Sequence, residues 1–378
     1  MSNNAIAEIV DILGHHKIDQ IAYLPCNKLN PLVAQLQHEK FRFWNITKES
    51  SGLPMCFGYN LGGKRFCMLI QNTAIGNLIT ELLTLPELYG VPLPIFLSWR
   101  GHYQEPIEAQ TVLGEKMTAI LEALQVSYTV VENPNDVTKI DKGLESCFDM
   151  HRAHVFLLSP QLWDNVSPPK ASVAGMPAFE AKKVSDIGYS GQPELTRYGA
   201  IQTIVESLSD KEILFPQIGF PAREVYATGD RDRNFYLLGA LGSASLVGLG
   251  YAICRPDLHV TVLDGDGAMV FNPNQMMELA QYMPNNLRVV VLDNGSWGST
   301  GNQPTLTSTG TNLALIGQAC GLKPWRRVTS RQEWADAIAE NTSQQVIHFM
   351  ISPGNAKVGN IDLKASEIVA RFTAATTK

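Results

Sequence analysis

The stretch LDGDGAMVFN, residues 263–272, places a carboxylate, Asp266, between two glycines directly after the apolar run Val260–Leu263. A short apolar run that ends at glycine predicts a buried strand. A charged side chain at the end of a buried strand is costly unless a cation or several hydrogen-bond donors meet it. The position of Asp266 therefore predicts a binding site, and the strand before it is the reference point for the rest of the fold.

Short apolar runs of the same kind alternate with helical patterns along the whole chain. Amphipathic stretches, such as residues 114–126, separate most of these runs. Strands that alternate with helices predict an α/β fold with doubly wound parallel sheets, in which ligands bind beyond the carboxyl ends of the strands. The predicted strands are Ile21–Pro25, Phe41–Thr47, Phe66–Gln71, Pro94–Trp99, Tyr128–Glu132, His154–Leu158, Ile213–Ile218, Val260–Leu263, Arg288–Leu292 and Gln345–Ile351.

Chain length and composition predict two domains. A chain of 378 residues is long enough for about two domains of roughly 150 residues each. Residues 165–195 are rich in proline, serine, alanine and glycine without clear periodicity, which is typical of a linker. We therefore expect one domain at 1–164, a linker at 165–195 and a second domain at 196–378.

Charge and cysteine content limit the function classes. The net charge of -6 gives no basic surface for nucleic acid, although a few local cations can still bind an anionic substrate. The six cysteines show no C-x-x-C pairing, which predicts a reduced cytoplasmic protein without a zinc site or disulfide framework. The N-terminus lacks the basic region and cleavage site of an export signal. The uncharged run Leu237–Cys254 contains four glycines and two serines, which predicts a buried packed segment and not a membrane span.

A second oxygen-bearing side chain, Asn294, closes the next predicted strand, in residues 288–295. The carboxyl ends of parallel strands meet at one edge of a sheet, so we expect Asp266 and Asn294 to lie side by side. Between them, Asn272 as N-cap and Pro273 as the first helical residue predict a helix start. A helix N-terminus beside two hard oxygen ligands and flexible glycines is typical of a phosphate held with Mg²⁺.

Two other interpretations of this pattern involve no metal. A turn at Asp266 and a cap at Asn294 would place the same residue types at the same positions. A dinucleotide site is the second, but its fingerprint is G-x-G-x-x-G. Here Gly265 and Gly267 are followed by Val270 where the third glycine would stand, so this interpretation fails.

The pattern Gly265-Asp266-Gly267, followed at a distance by Asn294, resembles the motif of thiamine diphosphate enzymes. Longer stretches resemble one family among them, the sulfopyruvate decarboxylases. Residues 218–250 and DNGSWGSTGNQ (293–303) are similar to the β subunit of that family. The stretches similar to its α subunit are PCNKL (25–29), TKESSG (47–52), LIQNTAIGN (69–77), SWRG (98–101) and EAQTVLG (108–114).

The resemblance implies two domains of the thiamine diphosphate-binding fold, joined head to tail in one chain. The α-subunit-like half, 1–164, would bind the pyrimidine ring of the cofactor, and the β-subunit-like half, 196–378, would bind its diphosphate. Each active site would lie between halves from different chains. A homodimer is therefore the smallest working unit that the resemblance allows, and a larger homo-oligomer is consistent with it.

Individual residues also receive roles from the resemblance. Asp266, the Asn294 side chain and the Ser296 carbonyl would coordinate Mg²⁺ on the diphosphate. The remaining cofactor-binding residues would be Leu241, which supports the bent conformation of the cofactor, together with Gly265, Gly267 and Ala268.

Glu49 is the principal catalytic residue that the resemblance implies, because it matches the glutamate that hydrogen-bonds the pyrimidine ring nitrogen. Considered without the resemblance, Glu49 is better explained as a glutamate that stabilises a helix N-terminus. Pro54 follows five residues later and predicts a disturbed helix, since proline lacks an N–H group.

The substrate of this family carries a carboxylate and a sulfonate, so its site needs cations or several N–H donors. We hypothesise that Lys28 or Arg100 meets the sulfonate and that Asn72 faces the reacting carboxylate. His102 would protonate the intermediate after CO₂ is lost, because histidine titrates near neutrality. A solvated lysine and a histidine without function remain alternatives. The candidates at predicted strand ends are Lys28, Gln71, Asn72, Asn77, Arg100 and His102.

The resemblance thus implies a lyase: decarboxylation of 3-sulfopyruvate, a small anionic 2-oxo acid, to sulfoacetaldehyde and CO₂ in coenzyme M biosynthesis, with thiamine diphosphate and Mg²⁺ as cofactors. Phosphonopyruvate or another 2-oxo acid is the alternative substrate. A protein that binds the cofactor without turnover is the alternative of another class. The joint presence of Glu49, Asp266 and Asn294 argues against that last alternative.

Overall fold

The computed structural model describes residues 2–163, 166, 192–322, 325–340 and 345–377. The chain divides into two units, Met1–Lys182 and Lys183–Lys378. The predicted linker, 165–195, lies outside the described residues except for Val166 and residues 192–195. Its bounds and those of the predicted domains therefore stay a prediction.

The first unit is built on a sheet of six parallel strands. These are β1 (Gln20–Tyr23), β2 (Arg42–Asn45), β3 (Phe66–Gln71), β4 (Leu93–Ser98), β5 (Ser127–Val131) and β6 (Ala153–Leu158). Their order across the sheet is β2-β1-β3-β4-β6-β5. The central strands β4 and β6 are buried along their whole length, as expected for a parallel sheet with both faces covered.

Helices connect these strands, and the winding of the chain reverses between β1 and β3. From β1 the chain passes to β2 on one side and then returns to β3 on the other, so the loops after β1 and β3 flank the switch point at which open α/β sheets bind ligands. The helices are α1 (Ser2–His15), α2 (Asn30–His38), α3 (Glu49–Leu61), α4 (Ile75–Leu82), α5 (Glu108–Gly114), α6 (Met117–Ala123) and α7 (Thr138–Asp149).

Helix α3 passes through Pro54 without a break, so the prediction of a disturbed helix is wrong. Proline removes one intrahelical hydrogen bond, which costs stability unless packing compensates. The side chains from Ser50 to Tyr59 are all buried, and this packing holds the helix together.

The second unit contains a sheet of five parallel strands and a short antiparallel hairpin. The sheet strands are β7 (Ile213–Pro216), β8 (Val260–Gly265), β9 (Leu287–Asp293), β12 (Trp325–Val328) and β13 (Gln345–Met350), and the hairpin strands are β10 (Ser296–Trp297) and β11 (Gln303–Pro304). The strand order is β12-β13-β9-β8-β7. The helices are α8 (Arg197–Ser207), α9 (Phe220–Thr228), α10 (Ala244–Cys254), α11 (Asp266–Phe271), α12 (Asn274–Tyr282), α13 (Leu313–Ala319), α14 (Arg331–Ala339) and α15 (Ala365–Thr376).

Strands β8 and β9 are neighbours in this sheet, and Gly265 pairs with Leu292 at their ends. The predicted proximity of the two strand ends that precede Asp266 and Asn294 is therefore confirmed. All ten predicted strands occur in the structure, and their bounds agree within two residues.

Helix α10 occupies most of the uncharged run that begins at Leu237, and its side chains are almost all buried. A Cβ atom on Gly248 would lie 2.2 Å from a methyl carbon of Val262, so glycine at this position lets the helix pack directly on β8. The prediction of a buried packed segment is confirmed. Among the helices of the described residues, none combines the length and the apolar character that crossing a membrane requires.

Candidate functional site

A cleft at the carboxyl ends of β8 and β9 brings together every residue predicted to bind the cofactor. Its empty volume is about 490 Å³. Side chains of Gln217 and Trp297 line the same cleft. The predicted residues that line it are Leu241, Gly265, Asp266, Gly267, Ala268, Asn294 and Ser296.

The helix that begins at this cleft is α11, and its first residue is Asp266 itself. The prediction of Asn272 as an N-cap is wrong, because α12 begins at Asn274 with Pro273 as its cap residue. The Asn272 side chain instead donates to the Gly242 carbonyl at 3.0 Å. The first N–H groups of a helix have no intrahelical partner. In α11 these N–H groups belong to residues that line the cleft, so they are available to a ligand there.

Asp266 is a buried carboxylate, only 3% exposed. Its Oδ2 accepts hydrogen bonds from the hydroxyls of Thr305 at 2.5 Å and Thr307 at 3.0 Å. Burial, and then the nearby charge of Asp293, raise the pKa of Asp266 to about 6. A cation bound at this carboxylate would therefore remove a substantial electrostatic cost.

Asp293, at the end of β9, is the second buried acid beside the cleft. Burial acts to raise its pKa, but the hydrogen bond and charge of His348, together with the hydrogen bonds from Gly295 and Thr307, lower the pKa. Its Oδ2 lies 2.8 Å from Nε2 of the fully buried His348. Its Oδ1 accepts from the Gly295 N–H at 2.9 Å and from the Thr307 hydroxyl at 3.0 Å.

A third acid, Asp264, fixes the loop that carries Asp266. It is fully buried, and burial raises its pKa. It accepts hydrogen bonds from the Ser245 hydroxyl at 2.6 Å, the Gln217 amide at 3.0 Å and the Gly265 N–H at 2.9 Å. These donors lock the strand end in the position from which α11 begins.

Helix α11 and the hairpin approach each other so closely at Gly267 that only glycine fits there. A Cβ atom at this position would lie 2.6–2.9 Å from three ring carbons of Trp297. Any larger residue would push the indole ring away from the cleft that it lines.

Asn294 and Ser296 form a tight turn at the second strand end. The Asn294 Oδ1 accepts from the Ser296 N–H at 3.0 Å, and Asn294 is 8% exposed. The Ser296 hydroxyl is buried and has no hydrogen-bond partner among the described residues. An unpartnered buried hydroxyl in the lining of a cleft indicates that a ligand completes this site.

The donor set of the cleft fits a hard cation held together with a phosphate group. No group of three or more histidine, cysteine or acidic residues within the described ranges is arranged to hold a metal by itself. One carboxylate, one amide oxygen and one backbone carbonyl suit Mg²⁺, which takes its remaining ligands from phosphate oxygens and water. Asp266, Asn294 and Ser296 therefore fit a Mg²⁺ ion on a diphosphate.

In the first unit, Glu49 is the first residue of α3 and is half-buried. The amide of Asn77 donates to Glu49 Oε2 at 3.2 Å. The structure thus brings a predicted catalytic residue and a predicted substrate residue together, and Asn77 orients the carboxylate.

Arg100 is paired with an acid of the first unit, and its role as the sulfonate-binding cation stays a prediction. Its Nε and Nη2 donate to the two carboxylate oxygens of Glu105 at 2.5 and 2.8 Å, and its Nη1 donates to Asn27 at 3.2 Å. The hydrogen bond from Arg100 is also the main cause that lowers the pKa of Glu105. The guanidinium charge is therefore balanced inside the first unit.

Asn72 holds the backbone of Arg100 and does not face open space. Its side chain is fully buried, its Nδ2 donates to the Arg100 carbonyl at 3.0 Å, and its Oδ1 accepts from the Arg100 N–H at 3.2 Å. Both ends of the amide are engaged by the Arg100 backbone, and the hypothesis that Asn72 faces the substrate carboxylate stays a prediction.

Lys28 lies in the loop after β1, within the short helical turn Asn27–Leu29, and is half-buried. Its backbone carbonyl accepts from the Trp163 indole at 2.5 Å, which fixes the loop. The ammonium group forms no ion pair with any residue that the structure describes. Lys28 is therefore the better candidate for an anion-binding cation.

Gln71 is the last residue of β3, and His102 lies in the loop after the neighbouring strand β4. The Gln71 amide nitrogen donates to Thr73 at 2.6 Å. The His102 ring stacks on Trp99 with the centroids 3.7 Å apart, and its Nε2 lies 2.9 Å from Glu132 Oε1. His102 is thus held in one orientation with a carboxylate that can accept its proton.

Several residues of the site have no counterpart among the predictions. Asp293 carried a signal, because the DNG sequence places an acid directly before Asn294. Thr305 and Thr307 lie in the polar stretch TLTST, which has no periodicity and no motif. Arg197 lines the cleft and pairs with the buried Glu224 at 2.8 and 2.9 Å, a contact between α8 and α9 that sequence spacing does not reveal.

Several known proteins are similar to this chain. Residues 222–351 match the family described as thiamine pyrophosphate enzyme, C-terminal TPP binding domain, in which thiamine pyrophosphate is another name for thiamine diphosphate. The chain is 34% identical over 377 residues to the sulfopyruvate decarboxylase of Methanosarcina acetivorans, which covers 98% of this chain and 97% of that protein. It is 29% identical over 387 residues to the phosphonopyruvate decarboxylase of Streptomyces viridochromogenes, covering 98% and 94%.

Separate subunits of sulfopyruvate decarboxylase match parts of the chain. The β subunit of Methanocaldococcus jannaschii is 38% identical over 47% of this chain and 94% of the subunit. The α subunit of Methanococcus maripaludis is 29% identical over 43% of this chain and 98% of the subunit. The predicted resemblance to both subunits joined in one chain is confirmed.

Solved structures extend the comparison to the fold. The crystal structure of benzoylformate decarboxylase from Polynucleobacter necessarius has a TM-score of 0.71 and 11% identity, and the match covers 93% of this chain and 99% of that one. The predicted α/β fold with parallel sheets is confirmed. Because the chain is similar to a sulfopyruvate decarboxylase over nearly its whole length, it belongs to the sulfopyruvate decarboxylase family of thiamine pyrophosphate-dependent enzymes.

Proposed function

We propose that the chain is a thiamine diphosphate- and Mg²⁺-dependent lyase that converts 3-sulfopyruvate to sulfoacetaldehyde and CO₂, as a step in coenzyme M biosynthesis. The observation that carries the proposal is the convergence of all seven predicted cofactor residues on one cleft. The 34% identity to a sulfopyruvate decarboxylase over 98% of the chain supports this substrate.

The cleft of the second unit would hold the diphosphate end of the cofactor. Asp266, the Asn294 side chain and the Ser296 carbonyl would hold Mg²⁺, and the N–H groups at the start of α11 would donate to phosphate oxygens. Leu241 would support the rings of the cofactor. When bound, the cofactor supplies an electron sink for the electron pair released as CO₂ leaves.

Glu49 has the role of holding a proton on the pyrimidine ring nitrogen of the cofactor. A carboxyl group does this only if it is oriented, and the 3.2 Å hydrogen bond from Asn77 supplies that orientation. The fully buried Ser51, two residues later in α3, shows how tightly this helix start is packed. The contact with Asn77 supports the proposed role of Glu49.

In this proposal, the first unit recognises the anionic group of the substrate. Lys28 forms no ion pair with any described residue, so we assign the sulfonate to Lys28 and not to Arg100, whose charge Glu105 balances. His102 is the proposed proton donor after CO₂ is lost. Its Nε2 lies 2.9 Å from Glu132 Oε1, and this contact orients the ring.

Phosphonopyruvate is the second candidate substrate, because a phosphonopyruvate decarboxylase is 29% identical over 98% of the chain. A phosphonate carries up to two charges at neutral pH and a sulfonate carries one. The single positive charge of Lys28 would balance the single charge of a sulfonate better. A 2-oxo acid that has no anionic group besides its carboxylate would have nothing for Lys28 to bind.

The test compares turnover of 3-sulfopyruvate, phosphonopyruvate and pyruvate by the same protein, with thiamine diphosphate and Mg²⁺ each added or withheld. We expect the highest kcat/KM for 3-sulfopyruvate and no turnover without the cofactor. A higher kcat/KM for phosphonopyruvate would overturn the choice of substrate. Absence of turnover of all three acids by protein with bound cofactor would favour the non-catalytic alternative.

Assembly and location complete the proposal. We infer a homodimer or larger homo-oligomer with active sites between chains, and a cytoplasmic location, which the six free cysteines support. Light scattering at micromolar concentration tests the assembly. A monomer with full activity would contradict it.

A further inference from the structure

We propose that Thr305 and Thr307 are positioning residues that fix Asp266 for the divalent ion. This inference rests on the proposed binding of Mg²⁺ and thiamine diphosphate but not on the identity of the substrate. Neither threonine belongs to a motif, and both follow the hairpin strand β11.

Both hydroxyls donate to the same oxygen of Asp266. Oδ2 lies 2.5 Å from Thr305 Oγ1 and 3.0 Å from Thr307 Oγ1. Two donors on one oxygen prevent rotation of the carboxylate, and they leave Oδ1 as the oxygen for the ion. The bound ion would then have a single carboxylate oxygen from the protein, which matches the preference of Mg²⁺ for few protein carboxylates.

Thr305 also connects Asp266 to the loop that carries the other two proposed ligands. Its backbone N–H donates to the Gly295 carbonyl at 3.0 Å, between Asn294 and Ser296. One residue thus sets the distance between the ends of β8 and β9 through its side chain and its backbone. The 2% exposure of Thr305 means that solvent cannot replace this contact.

Thr307 separates two buried acids. Its hydroxyl lies 3.0 Å from Asp266 Oδ2 and 3.0 Å from Asp293 Oδ1, and His348 holds the other oxygen of Asp293. Because a hydroxyl has one proton, Thr307 donates to Asp266 or to Asp293 at any one time. Its oxygen also lies 2.8 Å from the Thr305 hydroxyl oxygen. Removal of this hydroxyl leaves the two carboxylates facing each other.

Residues that orient metal ligands typically change metal affinity by about 10- to 100-fold when they are removed. We therefore expect Thr305→Val and Thr307→Val to raise the apparent Kd for Mg²⁺ by about 10- to 100-fold at a fixed concentration of thiamine diphosphate. Valine keeps the shape of threonine and removes only the hydroxyl. Thr305→Ser and Thr307→Ser keep the hydroxyl and should restore the affinity of the wild type.

The measurement is a titration of full-length protein with Mg²⁺ in the presence of thiamine diphosphate, followed by the fluorescence of Trp297, which lines the cleft. Thr309→Val is the matched control, because Thr309 lies in the same turn, is exposed, and bonds only to the Leu306 carbonyl. Thermal unfolding of each variant without ligands identifies any variant that fails to fold, and the remaining threonine then carries the test.

An unchanged Kd for Mg²⁺ in a folded valine variant would overturn the inference. Equal weakening by valine and serine would also overturn it, since the hydroxyl would then have no specific role. Wild-type protein that binds Mg²⁺ and cofactor but does not turn over 3-sulfopyruvate would overturn the proposed substrate and leave this inference intact. Wild-type protein without Mg²⁺-dependent cofactor binding would remove both the metal site and the inference.

Discussion

Asp266 illustrates, at the scale of single residues, what a sequence reveals about a site. An acid between two glycines after a buried strand predicts a ligand, because the charge has no other obvious partner, and the cleft around Asp266 agrees with that expectation. The hydroxyls that hold it come from residues 39 and 41 positions away in the chain. No local pattern marks such long-range contacts, so Thr305 and Thr307 were not predictable.

Glu49 gives the clearest catalytic prediction. Glu49→Gln keeps the size of the side chain but cannot hold a proton, so kcat for 3-sulfopyruvate should fall by about 100- to 10,000-fold with little change in KM. Steady-state kinetics at saturating cofactor measure the effect, and the exposed Glu39→Gln serves as the control. Retention of full activity by Glu49→Gln would remove Glu49 from the mechanism.

His154 gives a prediction for stability against pH. Burial lowers its pKa from 6.5 to about 4, its Nε2 lies 2.8 Å from the Thr129 hydroxyl, and its Nδ1 has no partner among the described residues. The unfolded chain therefore binds a proton below pH 6.5 that the folded protein rejects until about pH 4. The contribution of His154 to stability is fully present above pH 6.5 and is lost as the pH falls between these two values.

His154→Gln removes this titration. Between pH 7.5 and pH 5, the free energy of unfolding of the wild type should fall by about 2 kcal/mol more than that of the variant. Urea unfolding at the two pH values measures the difference. Parallel pH profiles for the two proteins would show that His154 titrates normally in the folded state.

At the scale of secondary structure elements, the strands that are most buried are the ones that the sequence predicts most accurately. Central strands such as β3 are continuous apolar runs, and the predicted bounds of Phe66–Gln71 agree with the structure. Strand β12 was missed because its WRRV sequence is only half-buried and carries two arginines. The helix start at Asn272 was misplaced because a side chain that caps a helix and one that bonds a distant carbonyl have the same sequence signature.

The contact between α11 and the hairpin gives a prediction at this scale. Gly267→Ala places a Cβ atom 2.6–2.9 Å from the Trp297 ring. Such overpacking should lower the free energy of unfolding of the cofactor-free protein by about 1–3 kcal/mol. Gly265→Ala is the control, because a Cβ atom there meets only the Leu292 carbonyl, at 4.0 Å. Equal stability of the two variants, measured by urea unfolding, would show that the ring moves aside freely.

At the scale of the whole molecule, the chain joins two parallel α/β units, one with Glu49 and the other with the cleft at Asp266. The alternation of strands and helices predicted this organisation, and likeness to separate α and β subunits accords with it. Composition excluded a basic surface, but it contains no information on which anion the protein binds. That choice depends on single side chains such as Lys28, whose surroundings are set by the fold.

The most direct test of the account measures thiamine diphosphate binding by calorimetry, with Mg²⁺ or with EDTA, for the wild type and Asp266→Asn. The amide keeps the shape of the side chain and removes the charge. We expect tight binding by the wild type with Mg²⁺, loss of binding in EDTA, and cofactor affinity reduced by more than about 100-fold in the variant, since a lost ligand costs more than a lost supporting contact. Equal cofactor affinity of the two proteins, or binding that ignores EDTA, would contradict the central claim that Asp266 holds the cofactor through a divalent ion.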